Sequence, residues 1–158
     1  MGPCIIGKNC QIRKGAYLRG NIIIGDGSLI GNSCELKNAL IMDKSQIVHF
    51  NYVGDSILGI HAHFAAGAIT SNYKLDGSSI TTRVPSSDGV IPAKTDLIKF
   101  GALVGNNVEI GCNSVLNPGS IIGRNSVIYP LTNWRGYLGP ASICKNVQKY
   151  EIVERRFD

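Results

Sequence analysis

The sequence predicts an all-β chain, a parallel β-helix wound from six-residue repeats, and three observations predict it. Large aliphatic residues recur at strict six-residue intervals at Ile6, Ile12, Leu18, Ile24, Ile30 and Leu36. A second strict series runs Ile98, Val104, Ile110, Leu116, Ile122 and Ile128. The residue after the aliphatic one is often glycine (Gly7, Gly25, Gly31, Gly54, Gly105, Gly111), and the fifth of the hexad is small or β-branched (Cys10, Ala16, Ser28, Cys34, Ser114, Ser126). Finally, charged residues make up only 17% while glycine reaches 19, a balance that suits stacked, turn-rich strands and not a helical bundle.

Each hexad reads as a short strand and a turn, with one large side chain aimed at a common axis and a small residue at the corner. One hexad cannot bury its aliphatic side chain alone, but stacked coils bury a continuous column. Between the strict series the repeat takes a five-residue step from Leu36 to Ile41 and another from Val53 to Leu58. Residues 71–97 break the register with SNYKLDGSS and RVPSSDGVIPAK, whose Gly, Ser, Pro and Asp mark an inserted loop, either a binding loop or a disordered one. After Tyr129-Pro130 the chain is expected to leave the coil, giving a non-coil tail over about 131–158 in a single domain of 1–158.

Composition also narrows the function classes. The net charge is +5, but Lys and Arg are scattered apart from Arg155-Arg156, without the basic run of a nucleic-acid footprint. A mild cationic excess suits an anionic small molecule as well as it suits ordinary solubility. The five cysteines are odd in number and form no CxxC pair, so neither a disulfide framework nor a zinc site is expected. No apolar run approaches the roughly 18 residues of a membrane span and no secretory segment precedes the core, so no membrane partner and a cytoplasmic location are expected.

The repeat resembles the hexapeptide-repeat acyltransferase superfamily. That resemblance implies three hexads per coil and left-handed winding, although left-handed crossovers are otherwise rare. With three hexads per coil, Leu18, Leu36 and Val53 begin hexads on one face, A, and Ile12, Ile30, Ile47 and Phe64 on the preceding face, C. Arg19 and Lys37 then stack one coil apart, at about 4.8 Å between coils, an arrangement favourable only if solvated or facing an anion such as phosphate. Ala66 takes the place of His49 one coil later. Arg19, Lys37, His49, Tyr52 and Asn72 are expected to converge at one corner between faces C and A.

The segment from His49 to Tyr73 is similar to the acetyltransferase domain of the bacterial bifunctional N-acetylglucosamine-1-phosphate uridyltransferases and to archaeal sugar-1-phosphate acetyltransferases. The family's His-x-x-Tyr-x-Gly-Asp appears as His49-Phe-Asn-Tyr52-Val-Gly54-Asp55, and its Gly-Ala-Gly-Thr-Ile-Thr-x-Asn-Tyr as Ala65-Ala66-Gly67-Ala-Ile-Thr70-Ser-Asn72-Tyr73. LIKFGALVGNNVEIGCNSVLNPGSIIG extends the likeness across most of the chain. The resemblance implies that His49 is the catalytic base and that Arg19 and Lys37 grip a sugar phosphate, assisted by Tyr52. It implies that Asn72 contacts the sugar, that Tyr73 falls on a neighbouring substrate position, and that Ala66 and Lys99 meet acetyl-CoA. Where the family has an Asn on the sugar, this chain has His63. Lys74 and Lys94 are candidates for the family's next phosphate-binding lysine. A homotrimer is implied, with sites between subunits.

The activity implied is acetyl transfer from acetyl-CoA to the amine of an amino-sugar 1-phosphate such as glucosamine-1-phosphate, with no metal required. An imidazole suits removal of a proton from an ammonium near neutral pH. The 158 residues show no Gly-rich Rossmann-like segment, so synthesis of a UDP-sugar is not expected of them. The alternative is a non-catalytic trimeric β-helix that binds a sugar phosphate or nucleotide sugar. A zinc lyase on the same fold would need His49, His61 and His63 on one metal, and the register scatters them over two faces.

Overall fold

The computed structural model describes residues 2–156. It is a left-handed parallel β-helix, a three-sided prism in which the chain visits face B, then C, then A in each coil. The columns follow from the pairing register. Face B stacks Ile6, Ile24, Ile41, Leu58, Val104, Ile122 and Leu138. Face C stacks Ile12, Ile30, Ile47, Phe64, Ile110, Ile128 and Cys144. Face A stacks Leu18, Leu36, Val53, Thr70, Leu116 and Trp134. Interior rungs such as Ile30, Ile47, Phe64 and Leu116 are wholly buried, each contributing about 1.5–3 kcal/mol. Ile6 and Ile12, in the terminal coil with a neighbour on one side only, stay 45% and 39% exposed.

The glycines that follow the aliphatic residues do not supply the left-handed turns. Where the repeat keeps six residues, left-handed backbone falls three residues after the aliphatic one, as at Asn9, Lys44, His61, Asn107, Asn113 and Asn125, with φ of 54–58°. The glycines one residue after the aliphatic allow close approach instead. A Cβ on Gly31 would lie 1.5 Å from the Val48 carbonyl oxygen, and one on Gly105 2.6 Å from the Arg124 nitrogen. The small fifth residues behave as expected and also close the corners by hydrogen bonds. Ser45 Oγ donates to the Gly59 carbonyl at 2.8 Å and Ser126 Oγ to that of Gly139 at 2.9 Å.

Both five-residue steps fall at the A/B corner, one coil above the other. With one residue fewer, Glu35–Ile41 and Tyr52–Leu58 bend round that corner as unbroken strands through Asn38 and Asp55, at φ of 47° and 49°. Faces A and B therefore merge into one sheet, while face C forms a second.

Three expectations need correction. Residues 71–97, expected as an inserted loop either binding or disordered, carry an ordered antiparallel hairpin, Thr81–Ser86 with Gly89–Lys94. Ile80, 1% exposed, anchors it to the prism, its backbone closed by Ile80 N to Leu97 O at 2.8 Å, and Thr82 Oγ1 donates to the Gly119 carbonyl at 2.6 Å. Ile98, which fits the six-residue series, lies outside the coil and is 57% exposed, because the insertion rejoins only at Ala102–Val104. The coil also does not end at Tyr129-Pro130. Asn133–Trp134, Tyr137–Leu138 and Ile143–Cys144 pair in register with the coil below, so backbone pairing carries the helix on where the aliphatic pattern fades. From 145 to 156 no strand forms. The first and last positions of the expected domain, 1 and 157–158, lie outside the described residues.

Candidate active site

On the outside of face A the residues just before the inward column are Tyr17, Glu35 and Tyr52, stacked in register. Just after it come Arg19, Lys37 and Gly54, so the two cations do stack, as the register requires. Glu35, which the sequence reading missed, sits beside them. Its Oε1 accepts from Arg19 Nη1 at 2.8 Å, with the side chains 42% and 38% exposed. That hydrogen bond, before any through-space effect, raises the already high pKa of the guanidinium. An exposed pair of this kind is weak, so a dianionic phosphate can compete for Arg19. Lys37 is half-buried and has no hydrogen-bond partner among the described residues.

Tyr52 lies across Gly54, where a Cβ would come within 2.3 Å of the phenol oxygen. The missing side chain is what lets the ring reach the far side of the face, where Asn72 Nδ2 donates to Tyr52 Oη at 3.1 Å. Asn72 Nδ2 also donates to Asp55 Oδ2, and Asn38 Nδ2 donates to Asp55 Oδ1 at 2.9 Å. Asn21 Nδ2 in turn donates to Asn38 Oδ1 at 2.8 Å, so an amide and carboxylate ladder runs up the A/B corner. Burial, with Asp55 and Glu35 adding to it, pushes the Tyr52 phenol up in pKa against the Asn72 hydrogen bond, so it stays a neutral donor.

His49 stands at the other end of the face, on the C/A corner, exposed, with its ring 6.0 Å from that of Phe50. Its ring nitrogens have no hydrogen-bond partner among the described residues. Its backbone is fixed by Asn51, a 3% exposed residue whose Oδ1 accepts from His49 N at 3.0 Å. Asn51 Nδ2 donates to the carbonyls of Ala65 at 2.8 Å and Ala68 at 3.1 Å. One amide thus ties the His49 corner to the corner carrying Ala66, and Gly67 N donates to the His49 carbonyl at 3.1 Å. The sequence singled out neither Asn51 nor Asp55, because a buried corner Asn and a ladder Asp look like any polar turn residue.

The expected convergence on one corner is therefore corrected. Arg19, Lys37, Tyr52 and Asn72 spread across face A, with Asn72 at the A/B corner, and His49 with Ala66 flank its other edge. Within one chain His63 does not join them. It lies on face C, where Nδ1 pairs with Glu109 Oε2 at 2.6 Å above a cavity of about 370 Å³. Tyr73 and Lys99 bridge each other at the root of the insertion, away from Ala66. Lys94 is on the hairpin, opposite Thr81. Among the described residues no three His, Cys, Asp or Glu groups gather closely enough to hold a metal, and no helix is long and apolar enough to cross a membrane.

Residues 1–94 match the family described as the GMPPB C-terminal domain. The chain belongs to that family. Residues 101–132 of this GMPPB C-terminal-like domain further match the bacterial transferase hexapeptide repeats. It is 36% identical over 113 residues to the bifunctional protein GlmU of Methanococcus vannielii, covering 72% of this chain and 26% of that one. It is 35% identical over 115 residues to a bifunctional sugar-1-phosphate nucleotidylyltransferase/acetyltransferase of Sulfurisphaera tokodaii, covering 73% and 28%. The chain thus spans about a quarter of the length of the curated relatives it matches. The resemblance read from His49 to Tyr73 is to these same bifunctional proteins. Among solved structures, the fold is shared with AntD, an N-acyltransferase from Bacillus cereus in complex with dTDP and coenzyme A, at a TM-score of 0.68 and 20% identity, covering 96% of this chain and 84% of that one.

Proposed function

We propose that this chain is an N-acetyltransferase that moves an acetyl group from acetyl-CoA to the amine of an amino-sugar 1-phosphate, with glucosamine-1-phosphate the first acceptor to test. The observation that carries the reading is the order of groups along face A. Stacked Arg19 and Lys37 lie mid-face, with the Tyr52 hydroxyl and Asn72 amide toward the A/B corner and His49 and Ala66 at the opposite edge. A phosphate on the cations sets a sugar ring over Tyr52 and Asn72, and the amine then faces the imidazole. His49 takes a proton from the ammonium, the freed nitrogen attacks the thioester carbonyl, and the new C–N bond forms as the C–S bond breaks. Coenzyme A leaves as the thiol, carrying a proton. Relatives named as acetyltransferases and solved neighbours holding coenzyme A or acetyl-CoA support the donor.

A homotrimer is part of the proposal. His63 joins the face A groups only if a second copy brings it there, and the outside of face B is suited to self-association. The alternative, a non-catalytic module that binds sugar phosphate, is favoured by one observation: among the described residues none hydrogen-bonds the His49 ring to fix its tautomer. A thiol-release assay with acetyl-CoA and glucosamine-1-phosphate decides between them. Turnover is expected in the wild type and a loss of at least about 10²-fold in His49→Ala with the oligomer intact. Wild-type turnover in that variant removes His49 from the mechanism, and no release over a panel of amino-sugar phosphates favours the binding module.

A further inference from the structure

The insertion does more than decorate the prism. Between the hairpin and the coil edge lies a notch of about 250 Å³ lined by Lys74, Thr81, Arg83 and Arg135, with Gly119 and Gly136 as its floor. It opens onto a larger cavity of about 490 Å³ that shares Lys74 and Arg135 and is edged by Tyr73 and Asn117. Three cations, two from the insertion and one from the coil, line the smaller notch, and no carboxylate does. Asp76 lines only the larger cavity, and its carboxylate is engaged by Ser78, whose backbone N and Oγ donate at 3.0 and 2.9 Å. Lys74 Nζ is held by the Ser78 hydroxyl and the Ser79 carbonyl at 3.1 and 2.7 Å. Arg83 and Arg135 form no ion pair or side-chain hydrogen bond among the described residues.

The cations are held in place by the chain. Gly136 has a φ of 98°, and a Cβ there would lie 3.3 Å from Arg83 Cδ, so the arginine stem rests over a residue that must lack a side chain. A Cβ on Gly119 would lie 2.8 Å from Ile80 Cγ2, and the Thr82 bond to the Gly119 carbonyl fixes the same contact. Like charges gathered around a small cavity repel unless an anion or solvent separates them. Arginines with free forks are the side chains best matched to phosphate oxygens.

We propose that this notch binds a phosphate or pyrophosphate group, with Arg83, Arg135 and Lys74 as its ligands and the larger cavity taking the nucleoside attached to it. The phosphate comes from one of two sources, the phosphorylated nucleotide end of acyl-CoA or the diphosphate of a nucleotide-linked sugar. Binding itself stands apart from the acetyl-transfer reading; only the choice of coenzyme A rests on it.

The chain carries a native reporter. Its single tryptophan, Trp134, donates from Nε1 to the Gly136 carbonyl at 3.2 Å, directly under the notch. Inorganic pyrophosphate is titrated into the full chain at low salt while Trp134 emission is followed, in an Arg19→Gln, Lys37→Gln background that removes both stacked cations of face A. Saturable binding is expected, weakened about tenfold by Arg83→Gln or Arg135→Gln and unaffected by Lys14→Gln on the far coil. Competition by coenzyme A but not pantetheine assigns the donor nucleotide; competition by UDP assigns a nucleotide sugar. The proposal is overturned if pyrophosphate does not bind, if the arginine variants bind as the parent does, or if Lys14→Gln loses as much. Turnover that depends on His49 beside unchanged pyrophosphate affinity in the arginine variants removes the notch alone. Absent turnover with affinity lost in those variants removes acetyl transfer alone.

Discussion

Tyr52 shows how one residue depends on atoms that are absent. The phenol reaches Asn72 because Gly54 leaves room beneath it, and the amide of Asn72 is held in turn by Asp55. Burial raises the pKa of that phenol above its ordinary value. A group whose folded pKa is raised contributes stability that is complete below the unfolded pKa, about 10 for tyrosine, and is lost as pH climbs through the folded value. Tyr52→Phe has no such proton to lose. The melting temperature of the wild type is therefore expected to fall faster than that of the variant above about pH 10. Parallel curves through that range would show that Tyr52 is as solvated folded as unfolded.

At the scale of the element, the hairpin is secured by few contacts. Its strands are edge strands, and each contains a proline, Pro85 and Pro92, which edge strands tolerate. The buried anchor is Ile80, packed on Gly119. Ile80→Ala is expected to cost about 2–5 kcal/mol, concentrated in the docking of the hairpin and not in the coils. Limited proteolysis near Ser87-Asp88 reads this directly. Cleavage should speed up well below the global melting temperature, and an unchanged rate would place the anchor elsewhere. The same variant loosens the seat of Arg83, so pyrophosphate affinity should fall with it.

Across the whole molecule the three faces differ in what they show to solvent. Face C presents mixed residues, among them Gln11, Gln46, His63 and Glu109. Face B presents Ile5, Ile23, Leu40, Ile57, Leu103, Ile121 and Tyr137 in one unbroken apolar ladder. Ile5, Ile23 and Ile57 are 65%, 46% and 40% exposed. A continuous apolar stripe of that length marks an interaction surface, and self-association is the use proposed for it. Ile57→Lys is expected to shift the chain toward monomer in sedimentation while leaving its β-sheet circular dichroism unchanged. A wild type already monomeric at micromolar concentration would refute self-association; an unshifted variant oligomer would move the contact off face B.

The sequence by itself determined the coil, because a six-residue period can bury its aliphatic residues only by stacking. With the three hexads per coil that the family resemblance implies, the repeat also set the stacking of Arg19 on Lys37 and of Ala66 beside His49, since a fixed coil length sets the register of whatever rides on it. The sequence misplaced what the period does not govern. Ile98 kept the spacing but not the burial, and strands at 133–144 kept the register after the aliphatic signal had faded, because backbone pairing needs no particular side chain. The hydrogen bonds of Glu35, Asn51 and Asp55, the separation of His49 from Asn72 across face A, and the meeting of Arg83 with Arg135 come from tertiary structure alone. These contacts join residues across neighbouring coils or across the insertion, and only the folded path of the hairpin brings an arginine at 83 over a glycine at 136.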